Sequence, residues 1–242
     1  MQPPGQQGAE FDAYAGEYGA GMDNSVKALL GESADDFVAI KLRWLLHRFP
    51  DLRRRDESFR VLDYGCGTGT LLRLMAQEGL RATLAGCDVS SGMLAEAARQ
   101  WPAELPAPAF HQQTGAHAPL ADASVDLVVI SAVLHHVMPV DRPGVYQELR
   151  RVLRADGRLV VFEHNPLNPV TRYVVSHTPI DRNAILLRSG EVDSGLQRAG
   201  FAGVHTGYLM FLPPRLQALA PMERALGWLP LGAQYAVTAH RP

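Results

Sequence analysis

The chain has 242 residues, 47% of them hydrophobic and 20% charged, enough to bury one sizeable core unaided. A net charge of −2 offers no basic field for nucleic acid, and two cysteines, Cys66 and Cys87, are too few for a disulfide framework. No apolar run approaches the roughly 20 residues of a membrane span, and MQPPGQQGAE at the N-terminus lacks the basic and apolar regions of a secretory signal, so a cytoplasmic protein is expected.

Residues 1–10 are polar and rich in Gly and Pro, and read as a mobile tail. Residues 11–50 read as an N-terminal helical cap. Phe11, Tyr14 and Tyr18 share one helical face, and a second helix is expected over 35–49, with Ser33 as N-cap and Pro50 as its stop. The cap is followed by one domain over 51–242. Strands are expected at 59–64, 83–88, 107–111, 126–131, 158–163, 203–210 and 234–240. Helices are expected at 69–79, 91–101, 143–154, 190–199 and 215–227. Strands alternating with crossover helices predict a doubly wound α/β fold with a mostly parallel sheet.

The first strand runs into VLDYGCGTGT, residues 61–70. Gly65, Gly67 and Gly69 would let the backbone approach a ligand closely, but Thr70 occupies the position where a dinucleotide loop carries its last glycine. Asp63, two residues before the first glycine, would repel a pyrophosphate and attract a cationic ligand. Asp88 ends the next strand 19 residues after Gly69, the spacing of an acid that accepts ribose hydroxyls. A ribose beside a cationic head, with no phosphate to cradle, describes S-adenosylmethionine better than a nicotinamide dinucleotide.

Four segments, VLDYGCGTGTLL, GCDVSSGML, PLADASVDLVVISAVLHHV and ELRRVLRADGRLVVFEHNP, resemble the class I S-adenosylmethionine-dependent methyltransferases, in the bacterial small-molecule group called methyltransferase type 11. The resemblance implies a seven-stranded Rossmann-like sheet with the last strand antiparallel. It also implies S-adenosylmethionine as methyl donor and S-adenosylhomocysteine as product. Asp63, Gly65, Cys66, Gly67 and Gly69 would hold the methionine moiety, Asp88 the ribose, and Met93 the adenine, with Val89 and Ser131 beside them. Many relatives have an Asp at the adenine amino group. Gln113-Thr114 stands there, so that contact would come from Thr114, a neighbouring backbone group or Gln113. Tyr14 and Tyr18 would form a lid over the donor; the alternative is a helix packed on the core.

A hydroxyl acceptor needs a base, worth about 10²–10⁴-fold in rate, and histidine is the natural one near neutral pH. SAVLHHV sets His135 and His136 beyond the fourth strand, and VFEHNP sets Glu163, His164 and Asn165 at the end of the fifth. His135 and His164 are the expected catalytic residues, with Glu163 orienting them. The spacing has neither an i, i+4 His pair nor Cys-x-x-Cys, so no metal is expected. Lys41, one of two lysines, either pairs with a carboxylate or snorkels to the surface. The insertion over 168–190 would shape an acceptor pocket, where Arg172, Tyr173, His177 and Arg182 could touch substrate. The expected reaction is methylation of a small molecule, with oxygen favoured, in a bacterial natural-product or glycan pathway, by an enzyme that could form a homodimer. The competing readings are a cyclase or binding protein that keeps the cofactor without methyl transfer, and a nicotinamide oxidoreductase.

Overall fold

Helix α1 (Ala34–Arg48) opens on Asp35 and Asp36 and closes on His47 and Arg48, charges that complement the helix dipole at both ends. Its inward face carries Leu42, Leu45 and Leu46, all buried, and Pro50 starts a short 3-10 turn in place of further helix. The structure, a computed structural model, describes residues 11–12, 34–212, 223 and 225–242. Tyr14, Tyr18 and the expected cap Ser33 lie outside the described residues, as does most of the helix expected over 215–227.

From residue 60 onward strands and helices alternate: β1 (Arg60–Tyr64), α2 (Thr70–Gln77), β2 (Thr83–Asp88), α3 (Ser91–Gln100), β3 (Ala109–Gln112), β4 (Val125–Ser131), α4 (Arg142–Val152), β5 (Leu153–His164), α5 (Pro169–His177), α6 (Ser189–Arg198), β6 (Ala202–Leu209) and β7 (Gln234–His240). Helix starts follow local chemistry. Ser90 Oγ accepts from Met93 N at 3.0 Å to cap α3, and Asn168 Oδ1 accepts from Thr171 N at 3.0 Å to cap α5, with Pro169 in the first helical position.

The strands form one seven-stranded sheet in the order β3-β2-β1-β4-β5-β7-β6. Strands β1 to β5 pair in parallel, while β7 runs antiparallel to both β5 and β6. The doubly wound, mostly parallel sheet with an antiparallel last strand is as expected. Both faces are buried, so the central strands alternate between two cores. In β4, Val128 and Ile130 face the core shared with Leu149 and Tyr235. Leu127 and Val129 face the one shared with Leu45, Leu72 and Phe162.

Two elements differ from expectation. Strand β5 begins at Leu153, where the helical pattern suggested helix to 154. A positive φ of 60° at Asp156 and a register shift opposite Val125–Leu127 mark its irregular start. Helix α5 forms inside the segment read as an insertion, where no helix was expected. Among the described residues no helix is long and apolar enough to cross a membrane.

Candidate active site

Chain order reverses between β1 and β4, and ligands in open α/β sheets bind beyond the carboxyl ends of such strands. A cleft of about 1280 Å³ lies there. One end is formed by the loops after β1 and β2, the other by the turn after β4, the end of β5 and helix α5.

At the first end, Gly65, Gly67 and Gly69 have φ of 73°, 52° and 73°, the left-handed region that glycine enters without penalty. Their tasks differ. A Cβ on Gly65 would stand 2.4 Å from Val133 Cγ2, so this glycine lets two loops pack together. A Cβ on Gly67 would meet no atom within 4 Å, because Gly67 faces the open cleft. Gly69 is the N-cap of α2, packed toward Ala97 and Phe110 and not on the cleft wall. Cys66 lines the cleft with its thiol pushed well above the usual range by burial.

Asp63 is 3% exposed at the end of β1. Burial, reinforced by the neighbouring charge of Asp88 and opposed by Lys41, raises its pKa to about 7. Lys41 is itself buried and donates to Ser131 Oγ at 2.8 Å; it does not snorkel. Asp88 accepts from Gly67 N at 2.8 Å and Ser90 N at 2.9 Å, which ties the two loops and leaves further lone pairs for a ligand. Burial nonetheless raises its pKa. Val89 and Met93 complete this wall.

Of the two residues expected on the adenine side, one lines the cleft and the other does not. Thr114 exchanges backbone hydrogen bonds with His117 in an exposed turn and is not part of the cleft wall. Gln113 is, buried, with its N–H donating to Asp88 O at 2.8 Å. Strand β3 ends there, and the side-chain alternation turns Gln113 inward and Thr114 out.

At the other end, Glu163 is buried behind the cleft wall. Its Oε1 accepts from Val133 N at 3.1 Å and Leu134 N at 2.7 Å, and its Oε2 meets His135 Nδ1 at 2.6 Å. Burial opposes its charge, but the His135 charge and these donors hold its pKa at about 2. His135, 1% exposed, has Nε2 3.4 Å from Asp181 Oδ1. Burial works against its proton, yet Glu163 and Asp181 outweigh it and raise the pKa to about 9. His135 is therefore cationic at neutral pH. The His164 ring, 5.0 Å away between centroids, is held neutral by burial and by the His135 charge, with pKa about 3. Its Nδ1 lies 3.4 Å from Gln234 Nε2. Asn165, by contrast, donates to the carbonyls of Pro230 and Gly232 and is structural.

The cleft is closed on the α5 side by Val170, Thr171, Val174, Val175, Thr178 and Ile180, joined by Met138 and Val140. Arg172, Tyr173 and Arg182 line a separate groove instead, and His177 stacks on Tyr173 at 4.1 Å. Asp181, which sequence reasoning passed over, sits between His135 and His136 at 3.4 Å from each.

A family model described as a methyltransferase domain matches residues 62–161. Over that segment the chain is similar to methyltransferase domains. Relatives align there as well. A demethylmenaquinone methyltransferase of Beutenbergia cavernae is 41% identical over 104 residues, 43% of this chain and 40% of the relative. A ubiquinone/menaquinone biosynthesis C-methyltransferase of Campylobacter jejuni is 31% identical over 112 residues, 44% of this chain and 45% of its own. The chain spans about half the length of the relatives it matches. The fold likeness is wider: magnesium protoporphyrin IX methyltransferase of Synechocystis, solved with bound S-adenosylhomocysteine, superposes with a TM-score of 0.63 at 21% identity, over 96% of this chain and 94% of that one. The described residues thus share the fold of that structure, and the cleft lies at the carboxyl ends of the sheet's central strands.

Proposed function

We propose that the protein is an S-adenosylmethionine-dependent methyltransferase acting on a small, hydroxylated, largely apolar acceptor. One observation carries this reading. A single cleft joins a buried acid beside a glycine loop, Asp63 with Gly65–Gly67, to a histidine pair, His135 and His164, under an apolar wall from α5. Asp63 fits the donor because a buried carboxylate raised toward neutrality gains from a cationic partner such as an ammonium or sulfonium. Asp88 has lone pairs left for ribose hydroxyls, Met93 offers an apolar surface to adenine, and Gln113, which lines the cleft where Thr114 does not, takes the polar adenine edge.

Bound there, S-adenosylmethionine supplies an electrophilic methyl group and its own leaving group. The chain must align the acceptor with that methyl and exclude water, which in well-oriented systems lowers a barrier by roughly 7–11 kcal/mol. His164, held neutral with a pKa of about 3, orients the acceptor hydroxyl but is too weak a base to keep its proton, which leaves to solvent. His135, cationic and held by Glu163, stabilises the oxyanion left behind. Glu163 touches no ligand and acts as a positioning residue. The names of the relatives move the favoured methyl acceptor from oxygen to carbon, and an ionised hydroxyl serves that chemistry by enriching a ring carbon.

The N-terminal segment belongs to this reading as a cap. Asp12 accepts from Ser90 Oγ at 2.5 Å and Gly92 N at 2.9 Å beside the donor end, and the Phe11 ring meets His136 edge-on at 5.1 Å. The test is incubation with methyl-labelled donor and a panel of demethylated quinols and simple phenols, with the product analysed for carbon-bound or oxygen-bound label. Label on a ring carbon supports the reading; label confined to oxygen returns the acceptor assignment to a hydroxyl, and transfer to neither contradicts it.

A further inference from the structure

The acceptor end of the cleft holds a side-chain arrangement that methyl transfer does not require. His135 Nε2 and His136 Nε2 each stand 3.4 Å from the same oxygen, Asp181 Oδ1. All three ligand atoms lie within 4.8 Å of one another, and all three residues line the cleft. We propose that His135, His136 and Asp181 form a binding site for a divalent transition-metal cation, zinc by the chemistry of its donors.

Zinc bound about 2.0–2.2 Å from tetrahedral nitrogen and oxygen ligands sets neighbouring ligand atoms about 3.3–3.5 Å apart. The two His–Asp separations already have that length. His135 Nε2 is buried and faces Asp181 Oδ1 at 3.4 Å without a well-formed hydrogen bond, which leaves the atom free to take a cation between the two. Its other nitrogen is held by Glu163 Oε2 at 2.6 Å. A carboxylate on the far nitrogen is how metal-bound histidines are fixed in tautomer and orientation. Two imidazoles and one carboxylate suit zinc rather than calcium or magnesium, which prefer all-oxygen sets. Three protein ligands would leave a fourth position for water or another small ligand, and the three residues line the cleft. The metal would stand where the Nε2 proton of His135 otherwise supplies positive charge. The spacing of the sequence could not show this site, because Asp181 arrives from the turn after α5, far along the chain from the two histidines.

The site rests on the side-chain cluster and not on the methyl-transfer reading, so the experiment separates them. The full chain, stripped with chelator, is titrated with zinc, and separately with S-adenosylhomocysteine. One zinc per chain with a dissociation constant in the micromolar range or tighter is expected. His136→Ala and Asp181→Asn should each weaken zinc at least tenfold, Glu163→Gln by about 10–100-fold, and His177→Ala should leave it unchanged. If Asp181→Asn fails to fold by circular dichroism, His136→Gln, at a partly exposed ring, decides alone. Absence of stoichiometric zinc, or unchanged affinity in the His136 variants, overturns the site. Zinc failure with S-adenosylhomocysteine still bound removes only the cation site; the reverse pattern keeps it and removes the donor reading.

Discussion

Glu163 and His135 form a buried pair, Oε2 to Nδ1 at 2.6 Å, each side chain about 1% exposed. The other carboxylate oxygen takes the backbone N–H groups of Val133 and Leu134. One acid at the end of β5 therefore fixes both the turn after β4 and the ring that turn carries. Val133 in turn packs against Gly65, so the acceptor and donor ends of the cleft share a structural joint.

Glu163→Gln keeps a carbonyl for the two backbone donors but removes the charge facing His135. Turnover should fall by about 10–100-fold while the dissociation constant for S-adenosylhomocysteine stays within twofold. Breaking a buried pair costs about 3–5 kcal/mol, and part of that is recovered as His135 gives up its proton. Steady-state kinetics beside a donor titration and a urea melt read the three effects separately. A matching loss of donor affinity would mean that Glu163 supports the whole cleft and not the acceptor end.

Asp63 should make donor binding pH-dependent. With its pKa near 7 in the free protein, binding a cationic head below that pH must expel a proton, so donor affinity should weaken toward tenfold per pH unit as pH falls below 7. The effect on stability has the opposite sense. The folded pKa is above the unfolded 3.8, so the folded state holds the extra proton, and this contribution is lost as pH rises from about 4 through about 7. Asp63→Asn should flatten both profiles, weaken donor binding at pH 8, and leave the protein at least as stable there. Calorimetric titrations from pH 5.5 to 8.5, chosen to span about one unit or more either side of the shifted pKa, measure it.

Gly65 and Gly67 separate packing from ligand approach. Gly65→Ala would place a Cβ 2.4 Å from Val133 Cγ2 at φ 73°, so it should destabilise by about 2–4 kcal/mol from left-handed strain plus overpacking. Gly67→Ala meets no protein atom and should cost only about 1–2 kcal/mol from its backbone conformation, while blocking the donor by at least tenfold. Thermal melts paired with donor titration distinguish the two. Equal destabilisation by both variants would contradict the assignment of Gly67 to the ligand.

The end of the cleft proposed for the donor was the more legible half of the sequence. Asp63, the glycine loop and Asp88 are close in the chain and sit at strand ends that hydrophobic patterning locates well. The choice between Gln113 and Thr114 stayed open in the sequence because a single residue of register at the end of β3 decides which of them faces inward. The acceptor end was harder. Helix α5 could have been found from Val170, Thr171, Val174, Val175 and Thr178, which repeat at helical spacing and do face the cleft, but Pro166 and Pro169 made the segment look irregular. Asp181 carried no local signal. Its importance comes from two histidines that only the folded sheet brings to it.

The account rests on the identity of the ligand that Asp63, Gly67 and Asp88 hold. Calorimetric titration of the full chain with S-adenosylhomocysteine and, separately, with NAD tests it most directly. The account predicts one S-adenosylhomocysteine per chain at micromolar affinity, lost in Asp88→Ala, and no heat from NAD. Stoichiometric NAD binding, or S-adenosylhomocysteine affinity indifferent to Asp88→Ala, would contradict it.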